Sequence, residues 1–284
     1  MICFLEYVYR YRIMNHIFID ASYFIFYRVF ALCVWWRNAK PEEPIDDPAL
    51  NEEFVEKFKS TFVAKIKEMP KKLGLKKEAF SIHVGWDCPQ NEIWRKAIFP
   101  AYKDGRNVEK NKQANIAYFF KLAIKEDLFR KAGVEINYRH DKLEADDCVY
   151  LGIQHLRETD KESDVFIISS DHDYLQIVDE KTKLFDLKYK NHGESKTSFG
   201  NADKDLFMKI VLGDKSDNIS PIFQNKKIGK KTIEKLYEDK GKFYEMLSND
   251  HDALTRFETN TILVDLKHIP SDLSVSFNKI HFNL

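Results

Sequence analysis

Three short apolar runs in this chain each end on aspartate, and that recurrence limits the folds open to it more than any other feature. His16-Ile17-Phe18-Ile19 runs into Asp20, Phe80 to Trp86 runs into Asp87, and Val165 to Ser169 is followed by Asp171 and Asp173. Each run has the length and apolar character of a buried strand, and segments with helical spacing lie between them. Strands alternating with helices build an α/β fold, a mostly parallel central sheet flanked by helices, and such sheets collect their ligands at the carboxyl ends of the strands. What collects there in this chain is carboxylate.

The segments between the runs support that layout. Tyr23, Phe24, Tyr27 and Phe30 predict a helix after Asp20, and a Pro- and acid-rich loop over 40–51 leads to a second helix. In that helix Phe54, Phe58, Phe62 and Ile66 form a stripe at helical spacing, which reads as core. After a charged stretch to Asn111, an apolar-periodic helix is expected through Phe129 with Gly133 as its stop, then a short strand from Val134 to Tyr138. Leu143 to Leu156 reads as a helix opened by acids, and Asp203 to Leu212 as another that leads into the turn-rich GDKSDN.

The candidate ligands are therefore Asp20, Asp87, Glu144, Asp146, Asp147, Asp171, Asp173, Asp214 and Asp217. Carboxylates converging on one sheet edge repel one another unless cations sit between them, and hard divalent ions with oxygen ligands suit such a set. A pair of such ions supports phosphodiester hydrolysis. Taken singly, Asp20 or Asp87 reads first as a helix cap or turn former, and only the set taken together reads as ligands. Glu144 and Asp147 share a helix face while Asp146 points elsewhere, unless it lies in an irregular first turn. Asp171 and Asp173 either face one metal together, or Asp171 caps the next helix. No histidine-rich cluster argues for zinc.

Two basic stretches accompany the acids. Arg95, Lys96, Lys103 and Arg106 are interleaved with Trp94, Phe99 and Tyr102, the mixture expected of a surface that holds a phosphate backbone and stacks bases, although a solvated loop would look similar. Lys226-Lys227-Ile228-Gly229-Lys230-Lys231-Thr232 places a glycine turn at a helix start, where backbone amides and lysines can meet a phosphate. It lacks the spacing of a Walker motif.

Overall charge adds nothing to this, since acidic and basic residues balance at 45 each. Cys3, Cys33, Cys88 and Cys148 lie far apart and predict free thiols rather than a zinc ribbon or disulfides. The opening MICFLEYVYRYRI, broken by Glu6, Arg10 and Arg12, reads as a leader over 1–13 or the product of an upstream start codon, neither secretory signal nor bilayer span. A soluble intracellular protein is expected, with no membrane partner.

FIDAS, GWD, RKAIFPAYKDGR, LEADD, IISSDHDYLQI and VLGDKSDNI, in that order, resemble the flap-endonuclease and 5′-to-3′ exonuclease superfamily, in particular its phage and bacterial polymerase-associated branch. The resemblance spans roughly His16 to Leu236 and implies a PIN-like catalytic core over 14–200 with a helical arch near 88–125. It also implies a helix-hairpin-helix DNA-binding module with a tail over 201–284. By position, Asp20, Asp87, Glu144 and Asp146 would hold a first magnesium, with Asp147 outside it, and Asp171, Asp173, Asp214 and Asp217 a second; manganese could substitute. Lys103 and Arg106 would polarise the scissile phosphate. Tyr23 or Tyr27 would stack on a base near the cut, with core packing the alternative reading, and Arg95, Lys96, Tyr102, Gly229, Lys230, Lys231 and Thr232 would contact DNA. The hairpin string SPIFQNKKIGKKTIEKL departs from the family's glycine-rich pattern, which puts its usual potassium ion in question. Expected substrates are DNA with 5′ flaps, nicks or ends, and RNA–DNA hybrids, acted on by a monomer. A PIN-like ribonuclease or a non-catalytic DNA-binding scaffold are the alternatives.

Overall fold

The chain was analysed as a computed structural model that describes residues 14–76, 78–105, 115–224 and 228–284. The leader at 1–13, Arg106 with the rest of 106–114, and Lys226 and Lys227 lie outside the described residues.

The expected strands are present and pair in parallel. β1 (Met14–Asp20) lies at the centre, flanked by β2 (Ala79–Gly85) and β4 (Val165–Ile168); β3 (Ile136–Tyr138) and β5 (Thr182–Phe185) form the edges, in the order β3-β2-β1-β4-β5. All four pairings are parallel. β5 was not anticipated: its alternating burial, Thr182 and Leu184 in and Lys183 and Phe185 half out, is too short a signal to separate from a loop.

Helices cover both faces. On one side α1 (Ala21–Ala39) and α2 (Glu52–Lys72) pack with α4 (Ile116–Lys125) and α5 (Leu128–Lys131), and Phe54, Phe58, Phe62 and Ile66 are fully buried there, as their spacing predicts. α3 (Arg95–Ile98) is a single turn before that layer. The single helix expected up to Phe129 is instead two, because Asp127 takes a left-handed conformation at φ 49° between α4 and α5. Gly133 ends α5 at φ 95°, a backbone state that favours glycine.

On the other side α6 (Ala145–Thr159) packs against β1 and β2 and is itself covered by α11 (Ser271–Phe282), whose Phe277 meets Tyr138 and Leu143 in the second core. α6 approaches the sheet so closely that a Cβ on Gly85 would lie 2.8 Å from the Ala145 carbonyl oxygen. Beyond the sheet, α7 (Ala202–Leu212), α8 (Lys230–Glu238), α9 (Lys240–Ser248) and α10 (His251–Val264) enclose a third core around Phe207, Val211, Ile233 and Phe243. Among the described residues no helix is long and apolar enough to cross a membrane, and Cys33, Cys88 and Cys148 are free thiols.

Candidate metal and nucleic-acid site

The parallel sheet aims the ends of β1, β2 and β4 at one edge, and each of these strands is followed there by an acid. Asp20 caps α1 through Oδ1, accepting the Tyr23 N–H at 2.9 Å, while Oδ2 accepts from Ser169 and Tyr174 at 3.3 Å each. Capping and ligation are thus compatible: the cap takes one oxygen and aims the other inward. Asp87 follows the same pattern, accepting the Ala145 N–H at 2.9 Å and the Ser22 hydroxyl on its other oxygen. Asp171 does cap the next helical turn, accepting from the Asp173 N–H at 2.9 Å.

The acids face one another. Burial, with repulsion from Asp87, Asp171 and Asp146, pushes the Asp20 carboxyl up to about 8. Burial likewise pushes Glu144 up to about 7 against the pull of Lys103 and Arg95. Ligating atoms of Glu144, Asp146 and Asp147 all lie within 4.8 Å of one another. As the helix geometry predicts, Glu144 and Asp147 share a face and form a capping box. Asp146, in the first turn of α6, converges with them, and although burial opposes it, Arg95 and Lys103 hold its carboxyl below the usual carboxylate range.

Repulsion is offset in part by the chain's own cations, which the sequence reading assigned elsewhere or overlooked. Arg95, expected to hold DNA, is 2% exposed. Its guanidinium donates to both Asp147 oxygens at 2.7 and 2.8 Å, to Glu144 at 2.8 Å and through Nε to the Leu263 carbonyl at 2.8 Å. With those donors engaged inside the protein it offers no surface to a phosphate. Tyr102 is corrected in the same way: it is buried, and its hydroxyl donates toward Glu144 at 3.1 Å and Asp217 at 3.3 Å rather than stacking on a base. Asp147 also accepts from Trp94 Nε1 at 2.9 Å, so both its oxygens are taken by the scaffold.

Lys103 contacts Glu144 and lies 3.8 Å from Asp217, held in a left-handed backbone state at φ 58°. Lys209, in the last turn of α7, bridges Asp173 and Asp214, reaching Asp214 at 2.8 Å. Although burial opposes it, Lys209 and the Ser216 hydroxyl hold the Asp214 carboxyl well below the usual carboxylate range. Lys209 had no signal in the sequence beyond its place four residues before Gly213. Gly213 itself is required, since at φ 67° a Cβ there would meet the Ile219 carbonyl oxygen at 2.4 Å.

The remaining predicted contacts sit around this cluster. Lys96 pairs with Asp104 at 2.7 Å. Tyr23 and Tyr27 are half-buried on α1, outside the core clusters, with ring centres 6.0 Å apart, and the Tyr23 hydroxyl accepts the Leu187 N–H at 3.0 Å. At the start of α8, Gly229, Lys231 and Thr232 are exposed, whereas Lys230 is tied back to the carbonyls of Lys196 and Ser198 at 2.8 and 2.6 Å. The donor set is oxygen throughout, which fits a divalent cation.

A parallel α/β sheet with carboxylates gathered at its strand ends is an arrangement suited to metal-assisted hydrolysis. Residues 15–207 match the family described as 5′-3′ exonuclease, N-terminal resolvase-like domain, and the chain belongs to that family. The fold agrees with solved structures from bacteriophage T5. A flap endonuclease in a pseudo-enzyme–product complex with DNA and metal ions superposes with a TM-score of 0.62 at 16% identity, covering 94% of this chain and 97% of that one. A 5′-exonuclease with bound zinc ions superposes with a TM-score of 0.62 at 17% identity over the same shares of the two chains. No curated protein matches the chain in sequence.

Proposed function

We propose that the chain is a divalent-metal-dependent nuclease that hydrolyses phosphodiester bonds of DNA near 5′ ends, both trimming ends and incising flaps. The observation that carries this is the meeting of acids from separate strand ends and helix starts: Asp20 feels the charge of Asp87, Asp171 and Asp146, and Lys103 and Tyr102 join Glu144 to Asp217. The known T5 structures bound to metal and to DNA support the same reading.

Asp20, Asp87, Glu144 and Asp146 would hold one magnesium, and Asp171, Asp173, Asp214 and Asp217 a second, with Asp147 holding Arg95 behind them. When bound, such ions supply activation of water and stabilisation of the departing oxygen. The chain's own groups position the substrate. Lys103, already among the carboxylates, would donate to a phosphate oxygen once cations take over its charge partner, and Arg106, outside the described residues, would share that role. Tyr23 or Tyr27 would stack on a base next to the cut. The arch expected over 88–125 would end before α4, whose Ile116, Phe119 and Leu122 are buried in the first core, and α7 to α8 would form the hairpin that meets duplex DNA through the Gly229 backbone, Lys231 and Thr232.

The reading is tested with 5′-labelled flap, nicked and RNA-primed duplexes, with magnesium or with chelator, for wild type and Asp171→Ala. Magnesium-dependent cleavage near the 5′ end, reduced at least a hundredfold in the variant, is expected. Cleavage in chelator, full activity of Asp171→Ala, or preference for single-stranded RNA would overturn it.

A further inference from the structure

The last turns of α10 meet the loop that carries Asp214 and Asp217, the turn that carries Asp173, and Arg95 beneath Glu144 and Asp147. The Asn260 side-chain amide donates to the carbonyls of Ile210 and Ser220, both at 2.9 Å, and so brackets the loop that carries Asp214 and Asp217. The Leu263 carbonyl accepts Arg95 Nε at 2.8 Å, and Arg95 in turn grips Glu144 and Asp147.

Gln176 completes the arrangement. Its Nε2 donates to the carbonyls of Asp173 and Val264, each at 3.0 Å, and its Oε1 accepts the Leu266 N–H at 2.9 Å. Two carbonyls and one N–H around one amide admit a single orientation of that group. Asn260, Leu263, Val264 and Leu266 are each at most 4% exposed and Gln176 is half-buried, so a partner lost on the α10 side leaves a buried polar group unsatisfied. These four residues lie beyond 15–207, the part of the chain that matches the family.

We propose that the C-terminal end of α10 aligns the carboxylates for divalent cations, with Gln176 and Asn260 as positioning residues of the site. The inference rests on the metal-dependent reading above and adds that the region beyond the resolvase-like domain shapes the metal site itself. Misplacing ligands by a fraction of an ångström weakens metal affinity while leaving the ligands present.

The test uses the full chain with Gln176→Met, which keeps the length and removes the hydrogen bonds, and Asn260→Leu. Calorimetric titration with Mn2+ alone, without DNA, is expected to show affinity lowered by about tenfold in each variant, the scale seen for outer partners of metal ligands. The magnesium concentration for half-maximal flap cleavage should rise in parallel, with kcat at saturating magnesium and DNA affinity in chelator close to wild type. Mn2+ affinity within twofold of wild type in a folded Gln176→Met would overturn the proposal. Should that variant not fold, hydrogen exchange of the Leu266 amide in wild type decides: slowing on addition of Mg2+ supports the clasp, and unchanged exchange refutes it. A wild type that binds Mn2+ without cleaving DNA would refute the nuclease reading and leave this one standing on its affinities.

Discussion

Arg95 and Asp147 face each other in a two-pronged ion pair beneath the acidic site, with nitrogen–oxygen distances of 2.7 and 2.8 Å and both side chains at most 2% exposed. Breaking such a pair strands a buried charge, so Arg95→Ala is expected to lower unfolding stability by roughly 3–5 kcal/mol. Arg95→Lys should recover little, because an ammonium cannot reproduce the fork that meets both oxygens. Denaturant unfolding of the three proteins checks this, and a loss below 1 kcal/mol for Arg95→Ala would contradict the placement.

Metal binding should depend on pH in one direction. Asp20 and Glu144 are pushed up to about 8 and about 7, above their unfolded values, so the folded, metal-free protein holds protons that the unfolded chain has lost. Stability from these groups is present at acidic pH and declines as pH rises from about 4 toward 8. Cations must displace those protons, so Mn2+ affinity is expected to increase from pH 6 to pH 8, with proton release measurable in buffers of different ionisation enthalpy. Affinity independent of pH over that range would argue against the site.

Lys209 bridges Asp173 and Asp214. Lys209→Met therefore removes a cation from a crowd of acids and should cost about 1–3 kcal/mol of stability in chelator. Saturating magnesium should recover most of that loss, since external cations then supply the missing charge. Thermal melts with and without magnesium distinguish this from a packing defect, which magnesium would not repair. The depressed Asp214 carboxyl adds stability above its unfolded value near 3.8 that is lost as pH falls below it, and Lys209→Met should weaken that acid dependence.

Away from the site, His16 Nδ1 and His83 Nε2 lie 3.0 Å apart between β1 and β2, and His83 stacks on Phe18 with the Tyr138 ring nearly parallel to both. Burial lowers both, His83 to about 3, so the folded pair stays neutral where the unfolded histidines protonate. Stability is then lost as pH falls below 6.5, by about 2 kcal/mol at pH 5 for His83. His83→Phe should flatten the melting temperature between pH 7 and pH 5, and an unchanged slope would count against the neutral pair.

Much of this was legible in the sequence because it is local. A buried strand and the residue after it are adjacent in the chain, so the runs ending at Asp20 and Asp87, and the one followed by Asp171, announced both a parallel sheet and acids at one edge of it. The Phe54-Phe58-Phe62-Ile66 stripe and the shared face of Glu144 and Asp147 follow from helix periodicity alone. What tertiary structure decided was which charges are turned inward. A basic, aromatic string looks the same whether it meets phosphate or lies under carboxylates, and only the folded chain, by bringing Leu263, Glu144 and Asp147 around Arg95 and setting Lys209 between Asp173 and Asp214, selects between them. Except for Lys209 and Asp214, such partners are far apart in sequence, and no period in the chain encodes them.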